Sequence, residues 1–535
     1  MIAVSTLPAE RIESREASGP LTAERLLRRR ANQKPGITAL SDPPNVEALG
    51  LGRARSFNYH QADAAVDALA QVFIELGLMP GDIVAVQLPN LAHSPLTLLA
   101  AWRAGLTVAM LPMLWRGHEI GRACDEIAPK ALIGVSRCGG HSHAETLCAI
   151  AASQLSVRFV LGFGPDLPDG VVPLDEVIDT GRSGPRPVEA RRGESPPLVT
   201  FTSRPGLPFL PVVRNEDELL AQGAMTVLAL DLDTRDVILN PYPLTGPVGL
   251  ALGLMPWLIS GATLIQHHPF DYDAFVTQLL TTGGTVTALP APVLAALAKD
   301  GTLQWPQCLL RRLGVVWPAP GQAAPAPVQG AAPLMFDLYP LGDLVGVVLR
   351  RESQANPAPL PLGNIRLGDE EAVFVETKLR PRADGDSELL LRGPLVPHGP
   401  VGTPLARDED GYVGTGLRGK AEAKDIMTVR LKADPDLLRH GGVAIAASEF
   451  DELYRGFPGF LDAACFVLPD PVVGDRVFAA VVPRPGEPIH LEALTRFLAE
   501  RQVAPYKFPD KLVVVKQIPR DAEGRVLRDQ ILQQV

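Results

Sequence analysis

Residues Ala62–Leu111 read A-D-A-A-V-D-A-L-A-Q-V-F-I-E-L-G-L (62–78), M-P-G-D (79–82), I-V-A-V-Q-L (83–88), P-N-L-A-H (89–93), S-P-L-T-L-L-A-A-W-R-A (94–104), G (105) and L-T-V-A-M-L (106–111). Apolar residues recur at helical spacing in 62–78 and 94–104, while 83–88 and 106–111 are short apolar runs with β-branched residues. A glycine ends each helical stretch, and Pro80-Gly81-Asp82 turns the chain into the strand that follows. Helices alternating with strands that are apolar on both faces make a parallel sheet covered by helices. The fold class is therefore α/β.

The pattern continues outward from this core. Glu119–Ile127 reads as a helix before the strand Ala131–Val135. Tyr272–Leu280 precedes Thr285–Ala288, and Pro292–Ala298 precedes Leu313–Val316, which Pro318 stops just after Trp317. Pro318–Pro333 and Pro357–Leu362 are proline-rich connectors. Glu388–Arg392 reads as an edge-type strand of a smaller β-rich subdomain. Near Lys432 the character changes. Ser448–Arg455 and Leu491–Arg501 then read as helices, and Ala463–Leu468 and Val477–Val482 as strands, giving a compact C-terminal α+β module. The expected organisation is a mobile N-terminus (1–20), a large domain (21–431), a hinge (432–436) and a small domain (437–535).

With 535 residues, about two to four domains are expected. The composition, 46% apolar and 21% charged, is that of a globular protein. A net charge of −10 argues against nucleic-acid or anionic-membrane partners, which need a basic face. Five scattered cysteines without CxxC spacing point to a reducing compartment, hence a cytoplasmic protein, with neither a disulfide frame nor structural zinc. The N-terminus lacks a basic region followed by an apolar run, so no signal peptide is expected. Val237–Phe270 carries no formal charge, but its prolines and glycines break it into loop, helix, turn and strand, so it reads as buried core and not as a membrane span. His267-His268 reads as a strand end, and His141 and His143 as solvated turn residues. GxSxG and HExxH are absent, which leaves hydrolase and zincin readings without support.

Several longer stretches share one likeness. They are F-N-Y-H-Q-A-D-A-A-V-D-A-L-A from Phe57, L-G-L-M-P-G-D-I-V-A-V-Q-L-P-N from Leu76 and L-L-A-A-W-R-A-G-L-T-V-A-M-L-P from Leu98. L-A-L-G-L-M-P-W-L-I-S-G-A-T from Leu250 and E-L-L-L-R-G-P from Glu388 follow, then four stretches of the C-terminal module starting at Arg439, Leu468, Ala504 and Ile518. In series and in order, they resemble the adenylate-forming (ANL) superfamily of acyl-CoA synthetases, luciferases and peptide-synthetase adenylation domains. The resemblance implies a large AMP-binding-like N-terminal domain, a small C-terminal domain and chemistry that joins a carboxylate to ATP and then to a thiol such as coenzyme A.

The positions that would handle the nucleotide depart from the family pattern. V-T-F-T-S-R-P-G-L-P-F-L-P (199–211) resembles the phosphate loop T-S-G-T-T-G-x-P-K-G and keeps Thr202, Ser203, Gly206 and Pro208. The loop works through successive N–H groups and a lysine. Here Arg204-Pro205 replaces its centre and Phe209 its lysine. Trp317-Pro318-Ala319-Pro320 stands where a Gly-Gly-Ala-Pro turn leaves room for adenine. In L-Y-P-L-G-D (338–343), against G-Y-G-x-T-E, Tyr339 is kept, Gly342 replaces the phosphate-contacting threonine and Asp343 the Mg²⁺-holding glutamate. Leu417 replaces the ribose-binding aspartate, and Arg525 the adenylation lysine. An aromatic–histidine pair near the carboxylate pocket becomes Thr245-Gly246. The hinge motif corresponds to Lys432 and Asp434, with Asp436 an equal candidate for its last position. Gly441-Gly442 correspond to the turn lining a pantetheine tunnel, or are a plain tight turn.

Losing a phosphate lysine and a ribose carboxylate removes on the order of several kcal/mol of binding. The expectation is a pseudoenzyme: an acyl-CoA-synthetase-like protein that has lost ATP-dependent adenylation and acts as a binding or regulatory subunit. It would have no cofactor and no metal, with an active enzyme subunit or carrier protein as partner, or an acyl or acyl-CoA ligand. The alternatives are a divergent acid–thiol ligase using ATP, Mg²⁺ and CoA through Asp343 and Arg525, or an acyl-transfer enzyme using preformed thioesters.

Overall fold

The computed structural model describes residues 22–180, 198–204, 207–317, 333–353, 356–367, 372–382, 385–397, 399–400, 406–423, 425–430, 436–440, 443–470, 474–486 and 489–534. The expected mobile N-terminus and the connector 318–332 lie outside them. The chain divides into two compact units. One comprises residues up to 113, 127–200 and 212–431, and the other 114–126, 201–211 and 432–535.

In the first unit, the stretch 62–111 builds as its pattern predicts. The helix runs Tyr59–Glu75, three residues earlier at each end than the apolar periodicity suggests, and Asn58 caps its start. The Asn58 side chain accepts from Gln61 N (2.8 Å), and the Gln61 side chain accepts from Asn58 N (2.9 Å). Asp82 Oδ2 accepts from Met79 N (2.8 Å) and fixes the turn into the strand Ile83–Gln87. The helix His93–Arg103 and the strand Thr107–Met110 complete the second unit of the pattern.

These strands belong to an eight-stranded sheet in which Thr107–Met110, Ile83–Gln87, Ala131–Val135, Phe159–Phe163 and Val172–Pro173 run parallel and adjacent. Beyond Thr107–Met110 come Leu198–Arg204, Leu207–Arg214 and Gly399–Pro400. A second eight-stranded sheet has Arg312–Val316, Val286–Pro290, Val237–Asn240, Thr263–Gln266 and Thr38–Ser41 in parallel order. At one side Leu334–Leu341 joins parallel to Arg312–Val316, and Val345–Arg350 closes it as an antiparallel hairpin. The uncharged stretch 237–270 is largely buried up to His267, with Phe270 exposed: strand Val237–Asn240, a helical run from Pro247 to Ser260 that includes a π-helical turn (Leu250–Leu254), and strand Thr263–Gln266. Among the described residues no helix is long and apolar enough to cross a membrane.

A six-stranded antiparallel sheet holds Glu388–Arg392, and here the expectation fails. The strand Ser387–Arg392 lies inside the sheet, paired on one side with Val375–Pro381 and on the other with Val413–Ala423. Its Leu389, Leu390 and Leu391 are all buried, so a strand flanked by charges at both ends is interior by virtue of its middle.

The second unit contains a five-stranded sheet of Val443–Ala446, Leu437–His440, Gly474–Pro483, Phe460–Asp470 and Lys511–Val514. The helices Ala447–Arg455 and Leu491–Glu500 supply Phe450, Tyr454, Leu494 and Leu498 to its core. At its centre Lys507 Nζ donates to Glu119 Oε1 (2.9 Å) and Glu449 Oε1 (2.6 Å), with all three side chains buried. All five cysteines are free.

Candidate functional site

Ligands of open α/β sheets bind beyond the carboxyl ends of the strands. In the second sheet Trp317 directly follows the strand Arg312–Val316, and Tyr339 lies near the end of Leu334–Leu341. Trp317 N donates to Leu338 O (3.0 Å), which continues the ladder one residue past the strand. Trp317 is 1% exposed, and its ring stacks against Tyr339 with centroids 6.5 Å apart at 14°.

The indole is also held by its polar edge. Nε1 donates to Asp337 Oδ1 at 2.6 Å. Asp337 is fully buried and also accepts from Arg351 Nη2 (2.7 Å), Arg351 Nε (2.9 Å) and Ala358 N (2.6 Å). Such a carboxylate is satisfied by charge-assisted bonds on both oxygens. Tyr339 Oη donates to Ala358 O (2.7 Å), and burial raises its pKa.

Past Leu341 the chain turns tightly. Gly342 and Asp343 have φ of 61° and 56°, and Leu344 N donates to Leu341 O (3.1 Å). Two central residues with positive φ define a turn that suits a two-stranded hairpin. A Cβ on Gly342 would lie 2.5 Å from Thr415 O, so no larger residue fits here unshifted. Thr415 Oγ1 donates to Leu389 O (2.8 Å) and accepts from Leu417 N (3.0 Å), and Leu417 is 3% exposed. The first unit thus places Trp317 against Tyr339 and Asp337, and Thr415 against Gly342 and Leu417.

Other positions singled out in the sequence fall elsewhere. Thr202 and Ser203 are buried on the strand Leu198–Arg204. Only Pro205 and Gly206, both outside the described residues, separate it from the strand Leu207–Arg214, which contains Phe209. The Phe209 side chain, Lys432, Asp434, Gly441 and Gly442 also lie outside them. Arg525 is 67% exposed in the second unit, where Nε donates to Asp521 Oδ2 (2.8 Å) and Nη2 to Glu523 Oε2 (3.3 Å).

The expectation for His143 is corrected. It opens the helix His143–Ser153, is buried, and places Nδ1 2.9 Å from Gln87 Oε1, with its ring edge-on to His141 at 4.7 Å. A histidine at the first position of a helix packed on a strand end is drawn into the core, whatever the polarity of the preceding turn. His267 follows its strand as expected, its Nδ1 paired with Gln278 Oε1 (2.9 Å) and its Nε2 accepting from Asp271 N (3.2 Å). Among the described residues no group of three or more His, Cys, Asp or Glu is arranged to hold a metal ion.

Sequence reasoning missed Asp337 and Arg214. Asp337 had a signal, a lone carboxylate inside the apolar run L-M-F-D-L-Y. Arg214 had none, because its partners come from distant segments.

Residues 27–396 match the family model described as AMP-binding enzyme, and residues 449–525 its C-terminal domain. The chain is 28% identical over 493 residues to a salicylyl-CoA synthase / salicylate adenylyltransferase of a Streptomyces species, covering 88% of this chain and 87% of that one. It is 26% identical to the salicyl-AMP ligase / salicyl-S-ArCP synthetase of Mycobacterium tuberculosis, covering 99% and 94%. An amide bond synthetase from Marinactinospora thermotolerans shares the fold, with TM-score 0.73 at 20% identity over 96% of this chain and 99% of that one.

Proposed function

The chain belongs to the AMP-binding enzyme family of acyl-CoA and AMP ligases, and from that premise we propose that its nucleotide site is filled by its own side chains. On this reading the protein has lost ATP-dependent adenylation and acts as a non-catalytic binding or regulatory subunit. The observation that carries the proposal is Trp317. It stands where the family leaves an open adenine slot, stacks on Tyr339 and is pinned by the Asp337 carboxylate. A flat base cannot enter unless the indole leaves, and leaving breaks a buried charge-assisted hydrogen bond.

The remaining positions fit Mg-ATP no better. Leu417 offers a buried isobutyl group where ribose hydroxyls need an acceptor. Gly342 has no hydroxyl, and Thr415 O leaves no room for the family's threonine. The stretch that resembles the phosphate loop has Phe209 in place of the lysine, and Pro205 in its centre has no N–H to offer a phosphate.

Likeness over most of the chain to relatives named as an adenylyltransferase and an AMP ligase favours a second reading, in which the chain still adenylates a carboxylate with Asp343 and Arg525. Calorimetric titration with Mg-ATP separates the two. No heat and no thermal shift are expected, and a micromolar response would overturn the self-occupied site. Trp317→Gly should then gain measurable affinity for adenine nucleotides; a variant that folds yet stays silent counts against the indole as the plug. If ATP is silent, a shift with CoA or acyl-CoA favours acyl transfer from preformed thioesters. A protein partner, such as an active ligase subunit or carrier protein, belongs to the same proposal.

A further inference from the structure

Arg214 ends the strand Leu207–Arg214 and is 4% exposed. Its Nε donates to Thr200 Oγ1 (3.0 Å), Nη1 to Leu344 O (2.6 Å) and Nη2 to Asp343 O (2.9 Å). Among the described residues no carboxylate accepts a hydrogen bond from it. Burial pulls its pKa down to about 10, while Glu218 and Asp343 oppose this only through space.

Buried cations are ordinarily paired with carboxylates. This one is met by three neutral oxygens: one hydroxyl and two consecutive main-chain carbonyls. Hydroxyl and carbonyl oxygens are the donors that hard cations take, and here three of them surround one cationic group. The left-handed turn at Gly342 and Asp343 brings the carbonyls of Asp343 and Leu344 to one guanidinium.

We infer that Thr200 Oγ1, Asp343 O and Leu344 O form a small-cation site, which the chain fills with the guanidinium of Arg214. The inference rests on the self-occupied nucleotide site proposed above. Arg214 would supply a tethered charge at the turn where the family pattern puts a metal ligand, as Trp317 supplies the ring in the base slot. A divalent ion approaching Asp343 would meet fixed positive charge, so the resident cation excludes the metal as the indole excludes the base.

The test uses the full chain with Arg214→Ala, Arg214→Met and Arg214→Lys. Thermal unfolding of Arg214→Ala is followed in low-millimolar guanidinium or potassium chloride, against tetramethylammonium chloride at equal ionic strength. Arg214→Ala should lose stability and regain at least half of the loss with the small cations, but not with tetramethylammonium, which is too large for the vacated space. Arg214→Met, with an apolar chain in that space, should regain nothing. Equal effects of the small and large cations on Arg214→Ala overturn the inference.

If Arg214→Ala does not fold, amide exchange at Leu344 decides. Its N–H should stay protected in Arg214→Lys and lose protection at least tenfold in Arg214→Met relative to Arg214→Lys; equal protection in the two overturns the inference. A wild-type protein that binds Mg-ATP while Arg214→Ala still takes a small cation would sink the self-occupied nucleotide site and leave the cation site standing.

Discussion

Gly342 is a residue whose identity is fixed by geometry. Its φ of 61° and the 2.5 Å that would separate a Cβ there from Thr415 O both exclude a β-branched side chain. Gly342→Thr should destabilise the protein by about 2–3 kcal/mol through left-handed strain and collision. A chemical-denaturation midpoint unchanged by this substitution would show that the turn readjusts at little cost. Trp317 shows the converse. Sequence marked it as too large for an adenine slot, but its anchoring by Asp337 was not legible. Asp337 is twenty residues away and faces the indole only because two parallel strands are in register.

Among the elements, the segment 114–126 depends most on a partner distant in sequence. Glu119 begins as a local device, its Oε2 accepting from Arg116 N (3.1 Å) at the start of the helix Gly117–Ile127. It also accepts from Ala504 N (3.1 Å) and Lys507 Nζ (2.9 Å). Lys507 links it to Glu449, whose carboxyl pKa is raised by burial. Burial alone would lower the Lys507 pKa, but Tyr506, Glu449 and Glu119 outweigh it and raise it. Removing one partner of a buried charge cluster costs about 3–5 kcal/mol, because the other charges stay buried. Lys507→Met should lose that much in urea denaturation. Glu119→Gln, which keeps an acceptor for the backbone, should lose less, and combining it with Lys507→Met should add less than its separate cost. Strict additivity would mean that the two side chains are not coupled. Helix and strand periods foretold these elements to within a few residues, yet nothing in them paired residue 119 with residue 507.

At the scale of the whole molecule, buried histidines set an acid limit. Burial lowers the pKa of His93 and His267, and burial followed by the neighbouring His267 lowers that of His268 to about 4. The unfolded chain, with histidine near pH 6.5, then binds more protons than the folded one as pH falls. The associated stability is fully present above about pH 6.5 and is lost as pH drops toward 4, with His268 alone accounting for about 3 kcal/mol. Denaturation midpoints measured from neutral pH downward should fall over this window, and His268→Gln should flatten part of the slope; an unchanged slope would show that His268 titrates normally. The sequence by itself determined the α/β class, the order of the helix–strand units and which residues stand at the motif positions. Those properties are written in local periodicity and in residue identity at motif positions. Only the tertiary structure decided that Ser387–Arg392 is interior, that His143 is buried, that Trp317 is locked on Asp337 and that Arg214 meets Thr200 and the Asp343–Leu344 carbonyls. Each joins side chains from segments that are separate along the chain, and burial and hydrogen-bond partnership are properties of the packed chain that no local pattern encodes.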